Sequence, residues 1–308
     1  DNTEIKGTSV INVSQLQEFI NIVNGIITLN SNITITDGEA SSFANGVVID
    51  KAVTIDGNGH TIDARELARI FNITDDGSLT LNNITLINGN ATEGGAILNK
   101  GMLNIFDSNV SNNYAEYGAG VYNNGTVVIS NSKLDENTAY YRGGAVYSNG
   151  LLTVIESSFN ENDILYREEN AGYGGAAIFN FYEELLIIDS NFTNNLKDYK
   201  ERQKVEGVEQ GDLINGIIVS YANTTIDGSY FYNNSGCYGG AITLGTVNNV
   251  TNVLINNTVF ESNTAYNGGA IDSINTNLVI DSSKFINNKA VGKGDVNIDN
   301  AGGAIVSF

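Results

Sequence analysis

Few residues in this chain have types or spacings suited to a reaction. The one histidine, His60, lies in Asp56-Gly57-Asn58-Gly59-His60, a run of turn-forming residues. An imidazole works as a general base when a partner group orients it, and this one reads as a solvated turn residue. Asp75 and Asp76 form an adjacent acidic pair followed by Gly77. Glycoside hydrolysis needs two carboxyls facing one cleft, whereas strand neighbours point to opposite faces and Gly77 favours a turn. The pair therefore reads as a surface turn. Asp227, Asn256 and Asp281 share a repeat position with Ser130, Ile155 and Ile188, which describes a variable outer face. The single cysteine, Cys237, permits no intramolecular disulfide and reads as a small buried filler. Cys and His do not occur at metal-ligand spacing, no segment fits an ordered calcium loop, and no motif asks for a cofactor. On these residues the chain is expected to be non-catalytic, with no metal and no cofactor.

Residues suited to recognition gather in two stretches. Tyr166, Arg167 and Tyr173 lie in the first; Lys197, Tyr199, Lys200, Arg202 and Lys204 lie in the second. Five of the 15 Lys and Arg are thus concentrated in a chain with 35 Asp and Glu and a formal net charge of −20. Tyr and Arg are residue types favoured at binding hot spots, so these eight are the predicted binding patch. Tyr also recurs before glycines, at Tyr117, Tyr140, Tyr141, Tyr173, Tyr238 and Tyr266. Such a series makes either a stacked ladder or a strip on which sugars stack.

The acidic balance repels phosphate backbones and anionic headgroups, so nucleic acid and membrane surfaces are poor partners. No stretch of 18 apolar residues occurs, and no direct membrane insertion is expected of this segment.

The elements that must position these residues are repeats. One unit is Gly-Gly-Ala plus an apolar residue: Gly94-Gly95-Ala96-Ile97, Gly143-Gly144-Ala145-Val146, Gly174-Gly175-Ala176-Ala177, Gly239-Gly240-Ala241-Ile242, Gly268-Gly269-Ala270-Ile271 and Gly302-Gly303-Ala304-Ile305. Gly118-Ala119-Gly120-Val121 is a permuted copy and Asn215-Gly216-Ile217-Ile218 a degenerate one. A second unit ends in Val110…Asn113, Leu134…Asn137, Phe159…Asn162, Phe192…Asn195, Phe231…Asn234, Phe260…Asn263 and Phe285…Asn288, with Ser or Thr two residues before each anchor. Five residues before each anchor stands Ile105, Ile129, Val154, Ile187, Ile226, Ile255 or Ile280. Short strands recurring every 24 to 25 residues in most units can bury their inner face only by stacking on their neighbours. The spacing predicts an all-β, right-handed, single-stranded parallel β-helix, a pectate-lyase-like solenoid. Its coils are expected about 4.8 Å apart, with Ile on Ile, Phe on Phe, and a column of Asn amides donating to one another.

Residues 1–25 read as an N-terminal cap, and 26–308 as ten or eleven coils of a single domain. Ser14-Gln15-Leu16-Gln17 fits a capping box, and Leu16, Phe19, Ile20 and Val23 keep helical spacing. Most coils carry four or five residues between the Asn and the next glycines, but eleven follow Asn162, nineteen follow Asn195 and thirteen follow Asn288. The first two insertions belong to consecutive coils, so the predicted patch is expected to emerge at one corner of the rod.

Ile49-Asp50-Lys51-Ala52-Val53-Thr54-Ile55-Asp56-Gly57-Asn58-Gly59-His60-Thr61-Ile62-Asp63, Ile70-Phe71-Asn72-Ile73 and the two repeat units resemble the adhesin-like proteins of methanogenic archaea. The repeats are also similar to those of chlamydial polymorphic membrane proteins. This resemblance runs from about Val10 onward and implies a secreted protein held on the cell surface, with roles in attachment to a surface protein or glycan of another cell. A polysaccharide lyase or hydrolase on the same scaffold, and a structural cell-envelope spacer, are the alternatives. Ala301 to Phe308 stops inside a repeat, so the sequence reads as a piece of a longer protein. A dozen Asn-x-Ser/Thr sequons, including Asn32, Asn72, Asn83, Asn191 and Asn223, fit a glycoprotein.

Overall fold

Alternation of apolar and polar residues over three to six positions makes strands too short to fold alone, and each finds its partner one coil away. The computed structural model describes residues 10–23, 25–165, 174–196, 215–246, 248–291 and 302–307. A first sheet of ten strands runs from Ile26–Thr28 to Thr276–Asp281, and a second, also of ten, from Val47–Ile49 to Ile305–Ser307. Strands pair in parallel with their equivalents in the adjacent coils. A third wall consists of four strands up to Asn109–Ser111 and five from Ser158–Asn160, joined through bridges that Lys133 makes to both. A fourth, interrupted wall holds Asn90–Glu93, Tyr114–Tyr117, Thr138–Arg142 and Asp163–Ile164. Over the described residues the chain is a parallel β-helix of about ten coils.

The core is built as ladders. Ile105, Ile129, Val154, Ile187, Ile226, Ile255 and Ile280 pair in unbroken register, and all but the partly exposed Ile280 are fully buried. Phe159, Phe192, Phe231, Phe260 and Phe285 stack with ring centroids 4.8–4.9 Å apart. In the Asn ladder, Asn162 Nδ2 donates to Asn195 Oδ1 at 3.0 Å and to Leu134 O at 2.7 Å. Asn162 Oδ1 accepts from Asn137 Nδ2 at 3.2 Å and from the Asn137 backbone at 2.9 Å. The pattern repeats from Asn113 to Asn288, so both ends of each amide are engaged. The Ser or Thr two residues before each anchor forms a further ladder: Ser132 N donates to Ser157 Oγ and Ser157 N to Ser190 Oγ, each at 3.1 Å.

The corners are made by left-handed residues. Asn83, Asp107, Asn131, Glu156, Asp189, Asn257 and Ser282 take φ of 46–50° between the first and third walls. Asn112, Glu136, Glu161, Asn194, Asn233, Ser262 and Asn287 take 54–59° just before the ladder Asn. Gly143, at φ 65°, makes the next bend. A Cβ on Gly144 would stand 2.1 Å from Ala176 O, so only glycine fits there.

Two expectations are corrected. Val146 pairs with Ile178, and Gly175, at φ 64°, is the equivalent of Gly143. The Gly174-Gly175-Ala176-Ala177 copy therefore sits one residue out of the register its sequence suggests, with Gly174 as an extra residue after the insertion. The helix Val13–Ile22 (α1) is capped by Asn12, whose Oδ1 accepts from Gln15 N at 2.9 Å, and not by Ser14. Ser14 Oγ instead donates to Glu39 Oε1 at 3.1 Å. Gln17, released from capping, pairs with the backbone of Val48 as a strand would, accepting from its N–H at 2.7 Å and donating to its carbonyl at 3.1 Å.

Candidate functional site

All eight predicted patch residues, Tyr166, Arg167, Tyr173, Lys197, Tyr199, Lys200, Arg202 and Lys204, lie outside the described residues. The ends of the first insertion do not. Asp163 and Ile164 pair with Thr138 and Ala139, and Gly174 bridges to Arg142. One strand, Thr138–Arg142, thus anchors both ends of that insertion.

This strand carries an irregularity that aims its side chains. Ala115 pairs with Ala139 but Tyr117 with Arg142, so Tyr140 and Tyr141 together stand opposite Glu116. Such a bulge kinks the strand and redirects what it bears. Tyr141 stacks on Tyr117 with ring centroids 5.2 Å apart, and Tyr140 meets Tyr141 edge-on at 4.7 Å. These are members of the tyrosine series, of which Tyr117 and Tyr141 lie face to face. Tyr238 and Tyr266 are half-buried against the main core, and Tyr173 is outside the described residues.

The larger part of the site went unnoticed in the sequence. The middle residues of the second-sheet strands point away from the core, and one column of them is aromatic: Tyr122, Tyr147 and Phe179 are register partners. Their rings are parallel, with centroids 4.9 and 5.4 Å apart. Phe181 and Tyr221 pack around Phe179, and the exposed Tyr182 lies edge-on to Phe181 at 4.3 Å. The Arg142 guanidinium sits 4.9 Å from the centre of the Phe179 ring, within cation–π range. A second hydrophobic cluster is thereby assembled on the outside of a sheet. Burial raises the affinity of the Tyr147 and Tyr221 phenols for their protons, and burial followed by the Glu93 carboxylate pushes Tyr122 up to about 12. The phenols stay neutral at physiological pH and act as hydrogen-bonding edges.

The outward column continues through Val219 and Thr243 to Asp272. Asp272 is 3% exposed, and burial pushes its carboxyl up to about 6.

The residues considered for catalysis are dispersed. His60 Nδ1 lies 3.3 Å from Asn32 Oδ1, while Asp75 and Asp76 form an exposed turn. Cys237 is fully buried. Asp227, Asn256 and Asp281 occupy one column with Ser130, Ile155 and Ile188, as expected. Among the described residues no group of three or more His, Cys, Asp or Glu is placed to hold a metal ion. Among them, too, no helix is long and apolar enough to cross a membrane.

The geometry brings together stacked rings, the half-buried Arg142 and the ends of an insertion rooted among them. Residues 10–140 match the family described as "Putative pectate lyase-like adhesive domain". Residues 257–273 match the repeat of the Chlamydia polymorphic membrane proteins, in line with the similarity noted from the Gly-Gly-Ala and Phe-x-x-Asn units. Among solved structures, PfbA, a surface adhesin of Streptococcus pneumoniae, aligns with 12% identity over 91% of this chain and 92% of that one, at a TM-score of 0.38. No curated protein matches the sequence.

Proposed function

We propose that this chain is a non-catalytic adhesive domain, displayed outside the cell, that holds a surface protein or glycan of a partner cell. The observation that carries this reading is that both ends of the first charged insertion are rooted in Thr138–Arg142, the strand that bears Tyr140, Tyr141 and Arg142. The adhesive-domain match over residues 10–140 supports it. Contact with the partner is assigned to Tyr166, Arg167, Tyr173, Lys197, Tyr199, Lys200, Arg202 and Lys204, backed by the aromatic cluster. In this reading the protein is secreted and held at the cell surface, sequons other than those at Asn83 and Asn109 carry glycans, and its source is a relative of the methanogen proteins it resembles.

The stacked Tyr117 and Tyr141 rings cover each other's faces, which disfavours sugar stacking on that pair. The exposed ring of Tyr182 is available. The test replaces residues 166–172 and 197–212, leaving the buried Ile164 and Leu196 in place, with four-residue linkers and measures attachment of coated beads to candidate partner cells. Attachment is expected to fall sharply with thermal stability little changed. Undiminished attachment by a folded, loop-less chain overturns the assignment.

A further inference from the structure

A second surface, at the bend between the first and third walls, has the makings of a separate site. Asn83, Asp107 and Asn131 are left-handed residues in successive coils. Two residues on, Thr85, Asn109 and Lys133 form an outward register column. The residue between each pair turns inward, and Ile84 and Ser108 are buried. Two polar banks thus rise on either side of a sunken floor, leaving a trough of about 300 Å³. Gly59 lies at one end, where a side chain would meet nothing within 4 Å.

The lining is half satisfied. Ser108 Oγ donates to Phe106 O at 2.6 Å and accepts from Ile84 N at 3.2 Å, so the floor is complete. Asn109 Oδ1 is buried and receives no hydrogen bond among the described residues, an uncommon state for a native polar atom. Asp107 accepts one bond, from Asn131 Nδ2 at 2.5 Å. Lys133 is exposed and makes no ion pair among the described residues. The trough therefore presents an open acceptor on Asp107, the side chain of Asn109 in its lining, and a donor on Lys133. One carboxylate and one ammonium make it charge-balanced on a protein whose net charge is −20.

A ligand that both donates and accepts at closely spaced points, without net charge, carries hydroxyl groups. Polar pairs stand one above another in three successive coils, about 4.8 Å apart, so an extended polymer along the rod meets a polar pair at each of these steps. We infer that this trough binds a neutral, hydroxyl-rich glycan chain lying parallel to the helix axis. The site is distinct from the insertion surface, and it deepens the adhesive reading by naming a ligand class. With hydrogen bonds and no ring faces in the lining, each site is weak, and strong attachment arises from many copies acting together.

The test uses the full chain from a host that adds no N-glycan, because Asn83 and Asn109 both begin sequons. Cellohexaose, mannohexaose, chitohexaose and a galacturonic acid hexamer are titrated by calorimetry and NMR, together with glucose. At least one neutral hexasaccharide is expected to bind, better than glucose or the uronate. Lys133→Ala and Asn109→Leu should each weaken it about tenfold or more, while Asp76→Ala, in the exposed turn between the second and first walls, leaves it unchanged. Lys133→Ala touches only an exposed side chain, so it decides the question if Asn109→Leu does not fold. No neutral glycan bound, equal binding of the uronate, or binding that survives Lys133→Ala would each overturn the trough. These results leave the adhesive reading standing if bead attachment persists; glycan binding without attachment sinks that reading and keeps the trough.

Discussion

Asp272 is a carboxyl the fold holds where a neutral group belongs. It sits mid-strand between Thr243 and Val306, 3% exposed, with the half-buried Tyr238 close enough to feel its charge. Burial alone raises its pKa to about 6, against about 3.9 for a free aspartate. The difference of about two units, at about 1.4 kcal/mol each, is worth about 3 kcal/mol. Because the folded value is the higher, the protonated form is the one that folding favours. Below about pH 4 both states are protonated and nothing is lost; the cost grows between about pH 4 and 6 and is complete above that. Asp272→Asn removes the titration and nearly preserves the shape. Urea unfolding of both chains at about pH 4 and about pH 7.5 should show the variant gaining on the parent by about 2–3 kcal/mol at the higher pH. Parallel stability profiles, or a variant that is weaker at the higher pH, would refute the assignment of Asp272 as an uncompensated buried acid.

Other expectations follow from the ladders and corners. Asn162→Ala removes the partners of two buried groups, the Asn137 N–H and Leu134 O, and should destabilise by about 2 kcal/mol or more. Asn162→Asp keeps both acceptances but loses both donations and buries a charge; urea midpoints should place it no higher than the alanine variant. Gly144→Ala drives a methyl into Ala176 O, and a soluble, equally stable variant would contradict the register of that corner. His60→Ala is expected to leave circular dichroism, melting and attachment unchanged, since among the described residues its ring hydrogen-bonds only to Asn32 Oδ1.

Much of the rod was readable because stacking imposes one residue type on each inward column. Ile105 through Ile280, the Phe rings and the Asn amides recur at the coil period, and the period alone sets them on top of one another. The outward columns escape this rule. Tyr122, Tyr147 and Phe179 follow an apolar inward residue in Val121-Tyr122, Val146-Tyr147 and Ile178-Phe179, and in isolation such pairs look like undifferentiated core. The signal was there, in an outer position that should be polar and is aromatic in three consecutive coils. The slip at Gly174 was hidden because Gly-Gly-Ala reads identically one residue either way, and only the pairing of Val146 with Ile178 separates the two. The cap was misplaced for a similar reason: Asn12 and Ser14 are both good N-caps, and Glu39, distant in sequence, draws Ser14 away.

The pairing of Gln17 with Val48 bears on self-assembly. A stack of parallel strands is a template, and an open edge invites another chain to add on, coil upon coil, as in a growing fibre. At the edge strand Val47–Ile49, both Val48 main-chain groups are already taken by one side-chain amide from α1. Gln17 thus acts as a chain terminator for the second sheet. It gives the rod a direction, closed to further strands at this face of its first coil. Length in such a molecule is then set by the number of repeats encoded, and not by how many molecules happen to meet.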